Sequence, residues 1–254
     1  MEKACKKNIF LFLFVLIFFG NCGLEDYPYI YPVPQSNAEE GHTLDSRAEV
    51  RIPNDNSGTA FTHYVIFYRI YLTNNQEISP SPLTNYNNIN PSLYSDYLSI
   101  RPYIESTTLV NTNMDTFFRG KGFKYLTLEG ANIDRILGSG VLGRTLVIDF
   151  SSQNDYPTLE ITQNGTLIDG PYVLFRSNDG FVPLPDRYFL NSDVLRNVDN
   201  IDENTNADTI DKDADGASLD YAYASFYIVA VGLNQDSYSY IFSTPALIHT
   251  FRLP

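Results

Sequence analysis

The residues with the clearest chemical spacing lie in an acidic stretch, residues 199–220. Asp211, Asp213 and Asp215 alternate there, Gly216 follows, and Asp220 stands four residues further on. Carboxylates at alternate positions let one loop wrap several oxygens around a hard cation, and a glycine permits the sharp turn this needs. The pattern predicts a calcium site held by Asp211, Asp213, Asp215 and Asp220, with Asp202 and Asp208 in reach as further ligands. A solvated acidic loop between two strands accounts for the same composition.

The run from Asp211 to Gly216 is similar to the first half of a calcium loop of the EF-hand type. The second half departs: the twelfth position is Ala222 rather than a bidentate Glu, and strand-forming sequence follows. The expected affinity is therefore of the weak extracellular kind, about 10⁻⁴ to 10⁻³ M. Other constellations carry less. Gly138, Gly140 and Gly143 match a dinucleotide-binding spacing, but that fingerprint needs a helix after it, and residues 145–150 read as a strand. His42, His63 and His249 are far apart in sequence; His63 and His249 both lie near strands that a fold could bring together, as two ligands of a zinc site. No serine elbow and no His-Glu-x-x-His run is present. Paired carboxylates for glycoside hydrolysis leave no mark in a sequence, so a carboxylate-based hydrolase is an alternative without a motif.

Cys22 is the remaining reactive group. It follows a basic start (Lys3, Lys6, Lys7) and an apolar run, residues 9–19. Eleven helical residues reach only ~17 Å, about half of a ~30 Å hydrocarbon core. The segment therefore reads as a signal peptide and not as a spanning helix. The arrangement resembles a bacterial lipoprotein signal peptide, with Asn21 where that family prefers a small residue. The resemblance implies removal of residues 1–21 and acylation of Cys22 by chains such as palmitate. The chain would then be held in a lipid bilayer of the bacterial cell envelope, at the outer membrane or a periplasmic face. Cys5 is the only other cysteine and lies in the removed part, so the mature chain has no disulfide and depends on core packing.

Removal of three Lys and one Glu leaves 14 basic and 29 acidic residues, a net charge of −15. That balance excludes nucleic acid as a partner, since phosphate binding needs clustered Lys and Arg. It also opposes adhesion to an anionic leaflet. Proteins, glycans and cations remain. Nineteen Tyr and no Trp is an unusual aromatic supply. Tyr27, Tyr29 and Tyr31 lie near the tether, and Tyr221, Tyr223, Tyr238 and Tyr240 flank the last loop. Such residues suit either cross-strand pairing or a binding face.

The elements that must position these groups are mostly strands. Residues 22–41 are polar and carry three prolines, which suits a membrane-proximal spacer whose later half can form an edge strand. Ala48, Val50 and Ile52 share one face of a short strand, and residues 64–72 and 221–231 read as long strands. Residues 238–242 and 246–252 form a last strand interrupted at Pro245, after a loop predicted at 232–236. Between them, residues 123–128, 145–150, 158–162, 172–176 and 187–190 predict shorter strands, with a hairpin at Asn164-Gly165. Asn90, Pro91 and the apolar Leu93, Tyr94, Tyr97 and Leu98 predict one helix, ended by Pro102.

Residues 48–52 with 64–68 resemble the second and third strands of a fibronectin type III domain, and Tyr227 to Val231 its sixth. Ser243 and Pro245 stand where that family has a Ser-x-Pro. The resemblance implies an all-β fold, an antiparallel Ig or fibronectin III-like β-sandwich over residues 42–254. Its core Trp is absent, so Ile52 or a neighbour must fill that volume. Roughly 30 to 40 residues separate those strands in the family; about 145 do here, so residues from about 74 to 220 are expected as a β-rich insertion. The function expected of such a chain is non-enzymatic: adhesion, or an interaction module for protein or glycan. A structural subunit of an envelope assembly is the alternative, and the hydrolase the second.

Overall fold

Two strands are apolar on both faces, and the fold is built outward from them. They are Phe61–Thr73 and Tyr221–Asn234, paired antiparallel from Tyr221 opposite Thr73 to Gly232 opposite Phe61. A strand with one wet face alternates apolar and polar, whereas these need a cover on each side. The computed structural model describes residues 29–35, 47–73, 86, 90–106, 112–151, 155–177, 183–190, 209–210 and 221–254. Residues 1–21, Cys22 and the four aspartates of the predicted calcium site lie outside the described residues.

One sheet contains β1 (Arg47–Arg51), β4 (Thr127–Leu128), β5 (Thr145–Asp149), β6 (Thr158–Gln163) and β7 (Thr166–Ser177), in the order β1-β5-β6-β7-β4. β8 (Pro183–Tyr188) also pairs with β7. The other sheet has β2 (Phe61–Thr73) and β10 (Tyr221–Asn234) at its centre. On the far side of β10 lie β11 (Ser239–Phe242) and β12 (Ala246–Arg252). On the far side of β2 lie β3 (Lys124–Tyr125) and β9 (Thr209–Ile210), the last of these parallel. The expected all-β sandwich is the fold, with all pairings but the β2–β9 contact antiparallel among the described residues. The middle of the chain is no appendage, for it supplies β4 to β8, all of the first sheet except β1.

The core between the sheets takes alternate residues from each long strand. Ile66, Tyr68 and Ile70 of β2 meet Phe226, Ile228 and Ala230 of β10, with Ala48, Val50 and Ile52 opposite. Phe150 stacks on Phe251 at 4.4 Å and leans on Phe226 at 5.7 Å, so an aromatic cluster fills the volume that no Trp supplies. The other faces of β2 and β10 carry Val65, Phe67, Tyr71, Tyr227 and Val229. Two helices cover them, α1 (Pro91–Ile104) and α2 (Met114–Gly120), through Leu93, Ile100, Met114 and Phe118. A third, α3 (Ile133–Ile136), is a single turn.

α1 starts as predicted. The Asn90 side chain accepts from the Ser92 and Leu93 amides and donates to the Leu72 carbonyl, tying the cap to β2. It does not end at Pro102 but runs on to Ile104. A proline so near the end forfeits one intrahelical bond, to the carbonyl of exposed Leu98, where water can replace it. Leu98 is accordingly off the buried stripe, which runs through Leu93, Asp96 and Ile100. The loop expected at 232–236 begins later as well, because Gly232, Leu233 and Asn234 remain paired with Ile241, Tyr240 and Ser239.

Residues 29–35, inside the stretch expected as a spacer, are seated on the sandwich. Ile30 and Val33 are buried in the main core. In place of an edge strand, side-chain amides do the pairing. Asn56 accepts from the Tyr31 N–H at 2.8 Å and donates to its carbonyl at 2.9 Å. Gln35 makes the equivalent pair of bonds with the backbone of Leu247.

Candidate functional site

A break in one sheet edge makes the site. β3 pairs with Phe67 and Tyr68, and the Leu126 N–H then donates to the Ile66 carbonyl at 2.8 Å. At Thr127 the chain leaves this sheet and joins the other as β4, opposite Leu174 and Phe175 of β7. It returns after α3, where the Leu137 carbonyl accepts from the Tyr64 N–H at 2.9 Å and Gly138 bridges to His63. In an antiparallel strand the N–H and C=O of one residue point to the same side. The Tyr64 carbonyl and the Ile66 N–H are thus aimed between these two bonds.

Into that break opens a cleft of about 420 Å³, walled by Val65, Tyr125 and Ala131 and rimmed by His63, Asn132 and Asp134. The Asn132 side chain caps α3 by accepting from the Arg135 N–H at 3.1 Å, which sets the direction of Asp134. The Thr62 hydroxyl donates its one proton to the Val231 carbonyl at 3.0 Å. It can therefore only accept at the Nδ1 of His63, also 3.0 Å away, and Nδ1 must carry the imidazole proton. Nε2 is left with a lone pair facing Asp134, 3.8 Å from Oδ1. Burial lowers the His63 pKa below the ordinary histidine value, against the pull of the Asp134 charge. At neutral pH the ring is uncharged and Nε2 is an acceptor.

The cleft presents one carboxylate, one basic imidazole nitrogen and the edge of a strand. Its two hydroxyls are engaged elsewhere: Tyr125 donates to Asp115, and Thr127 to the Phe175 carbonyl at 3.0 Å. Burial, with Asp115 beside it, pushes the Tyr125 phenol far above the usual tyrosine range, so it keeps its proton. Among the described residues Asp134 is the single carboxylate of the lining, so these residues do not supply the acid pair that glycoside hydrolysis needs.

Of the sequence-predicted residues, His63 is on the cleft rim. Cys22, Asp211, Asp213, Asp215 and Asp220 lie outside the described residues, as does His42. His63 and His249 are not brought together. The first lies opposite Val231 on one side of β10 and the second opposite Phe226 on the other. At ~3.3 Å per residue along the strand and ~4.8 Å per step across it, their backbones are nearly 20 Å apart. Among the described residues no three His, Cys, Asp or Glu side chains are grouped as metal ligands. The Gly138 to Gly143 run is a turn: a Cβ on Gly138 would sit 3.3 Å from the carbonyls of Asp134 and Arg135, and residues 139–141 form one 3₁₀ turn. Asp134 had no sequence signal, since it lies 71 residues after His63 and meets it only because the chain leaves one sheet at Thr127 and comes back at Leu137.

The tyrosines divide. Tyr223 is buried, and Tyr221 lies under the Arg252 guanidinium at 4.4 Å. Tyr29, Tyr31, Tyr238 and Tyr240 are exposed, the first two edge to face at 4.7 Å. Compared with family models, with characterised proteins and with solved structures, the chain shows no match.

Proposed function

We propose that this chain is a lipoprotein of the bacterial cell envelope, anchored through acylated Cys22, that acts by binding and not by catalysis. Its ligand is an extended protein segment or a glycan, received in the cleft between β2 and α3. The observation that carries this reading is the cleft itself. It offers the edge of β2 at Ile66 beside a carboxylate and an imidazole, with its hydroxyls already committed. A strand edge gives affinity through main-chain bonds, and flanking side chains give specificity. The net charge of −15 after processing fits a cationic or neutral partner and not a nucleic acid.

The test is a photo-crosslink from inside the cleft. With p-benzoylphenylalanine in place of Asn132, cells should yield a discrete higher-mass adduct, and Asp134→Ala should weaken it at least threefold. A smear equal to that from an unrelated surface position would refute the binding role. An adduct with one abundant envelope protein would move the reading to a structural subunit of an assembly.

Calcium belongs to the same proposal as a stabilising ion of the acidic stretch. Spacing alone supports it, through Asp211, Asp213, Asp215 and Asp220. Millimolar calcium is expected to raise the melting temperature by a few degrees, and Asp213→Ala to abolish the rise. An unchanged melting temperature would remove the metal from the reading.

A further inference from the structure

We infer that one end of the sandwich rests on the headgroup layer of the membrane that holds the anchor, with Tyr29, Tyr31, Tyr238 and Tyr240 as the contact. This inference rests on the reading of Cys22 as the lipidated residue. The four side chains belong to segments at the same end of the sandwich. Ile30 sits over Gly232, so close that a Cβ there would lie 2.5 Å from its Cδ1. Gly232 and Leu233 pair with Ile241 and Tyr240, and the Leu233 N–H donates to the Ala60 carbonyl. The segment bearing Tyr29 and Tyr31, the β1–β2 connection and the β10–β11 hairpin therefore meet at one end.

Tyr238 is 84 % exposed and Tyr240 64 % exposed, although half of a tyrosine is hydrocarbon. Tyr238 also holds a φ of 53°, an uncommon backbone conformation for a bulky residue. The Asn234 side chain fixes that hairpin by accepting from the amides of Asp236 and Ser237. Strain spent on presenting an aromatic ring to the outside points to something outside that uses it.

The tether decides what that is. Seven residue steps separate Cys22 from Tyr29, at most ~25 Å of fully extended chain. The thirteen residues of β2 span ~43 Å at ~3.3 Å each. The body is longer than its leash, so the end at which Tyr29 is seated stays next to the bilayer. A tyrosine at that depth places its ring among acyl ends and its hydroxyl among headgroups. Asp55 and Asp236 lie in the two turns at this end, which fits a zwitterionic surface and opposes an anionic one.

The chain has no tryptophan, so Tyr238→Trp creates a single emitter at the contact, and Tyr156→Trp one at the opposite end, in the β5–β6 connection. Each full lipidated protein is placed in phosphatidylcholine vesicles with and without lipid brominated near the headgroup. Emission from the Tyr238→Trp protein should fall at least twofold with the brominated lipid, and that from the Tyr156→Trp protein should not change. Flotation with the vesicles but no quenching of Tyr238→Trp, or equal quenching of both proteins, would overturn the seating alone. Failure to float at all would overturn the anchor and the seating together.

Discussion

Asp96→Ala is expected to lower the free energy of unfolding by about 3–5 kcal/mol. Asp96 lies on the buried stripe of α1, and its Oδ2 receives two bonds from β2. Arg69 Nη1 donates at 2.8 Å and the Tyr71 hydroxyl at 2.7 Å. Burial, reinforced by the Asp96 charge, holds the Tyr71 phenol well above the usual tyrosine range, so it remains a donor. Removing the carboxylate strands a half-buried guanidinium and a buried hydroxyl at the interface that pins the helical layer to the sheet. Cost arises from the groups left behind more than from the bond lost. Arg69 also lies 5.8 Å from the Tyr71 ring and 5.7 Å from the Phe123 ring, so its stem packs even without the charge. Arg69→Met with Asp96→Leu should therefore recover most of the loss, and urea unfolding of the two singles and the double closes the cycle. A cost below 1 kcal/mol for Asp96→Ala would show that the pair is solvated in solution.

Much of the sandwich was legible because its signals are local. Ala48, Val50 and Ile52 alternate and are buried on one face, and the interruption at Pro245 separates β11 from β12. The long strands were visible too, but their meaning was not. The eleven consecutive buried residues 222–232 say that both faces are covered without saying by what. The outer cover turned out to be α1 and α2, whose buried stripes are short (Leu93, Asp96 and Ile100; Met114 and Phe118) and so read weakly as apolar faces. Pro102 misled because a breaker in the last turn removes little. The seating of residues 29–35 depends on the side chains of Asn56 and Gln35 imitating a strand, which no periodicity reveals. The cleft was illegible for a topological reason: it exists where the chain changes sheets at Thr127 and returns at Leu137, and neither residue is chemically distinctive.

Cys22→Ala is expected to move the protein from the detergent phase to the aqueous phase on phase partitioning, and from the membrane pellet to the soluble fraction of lysed cells. Each buried methylene contributes ~0.8 kcal/mol, and stable attachment takes two acyl chains or one chain with a second contact. The apolar run that remains, residues 9–19, reaches only ~17 Å and cannot replace them by spanning. Four tyrosine rings would not replace them either, because Asp55 and Asp236 and a net charge of −13 favour release. The two kinds of contact thus have separate roles. Under the proposed anchor, the acyl chains would supply the affinity, and the tyrosines would choose which end of the sandwich faces the lipid. The consequence can be measured on the same samples. Tyr238→Ala with Tyr240→Ala should leave the detergent-phase fraction unchanged while making the domain more accessible to protease on vesicles. If Cys22→Ala instead stays in the detergent phase, the attachment is not acyl at all, and the apolar N-terminus must be what holds the chain.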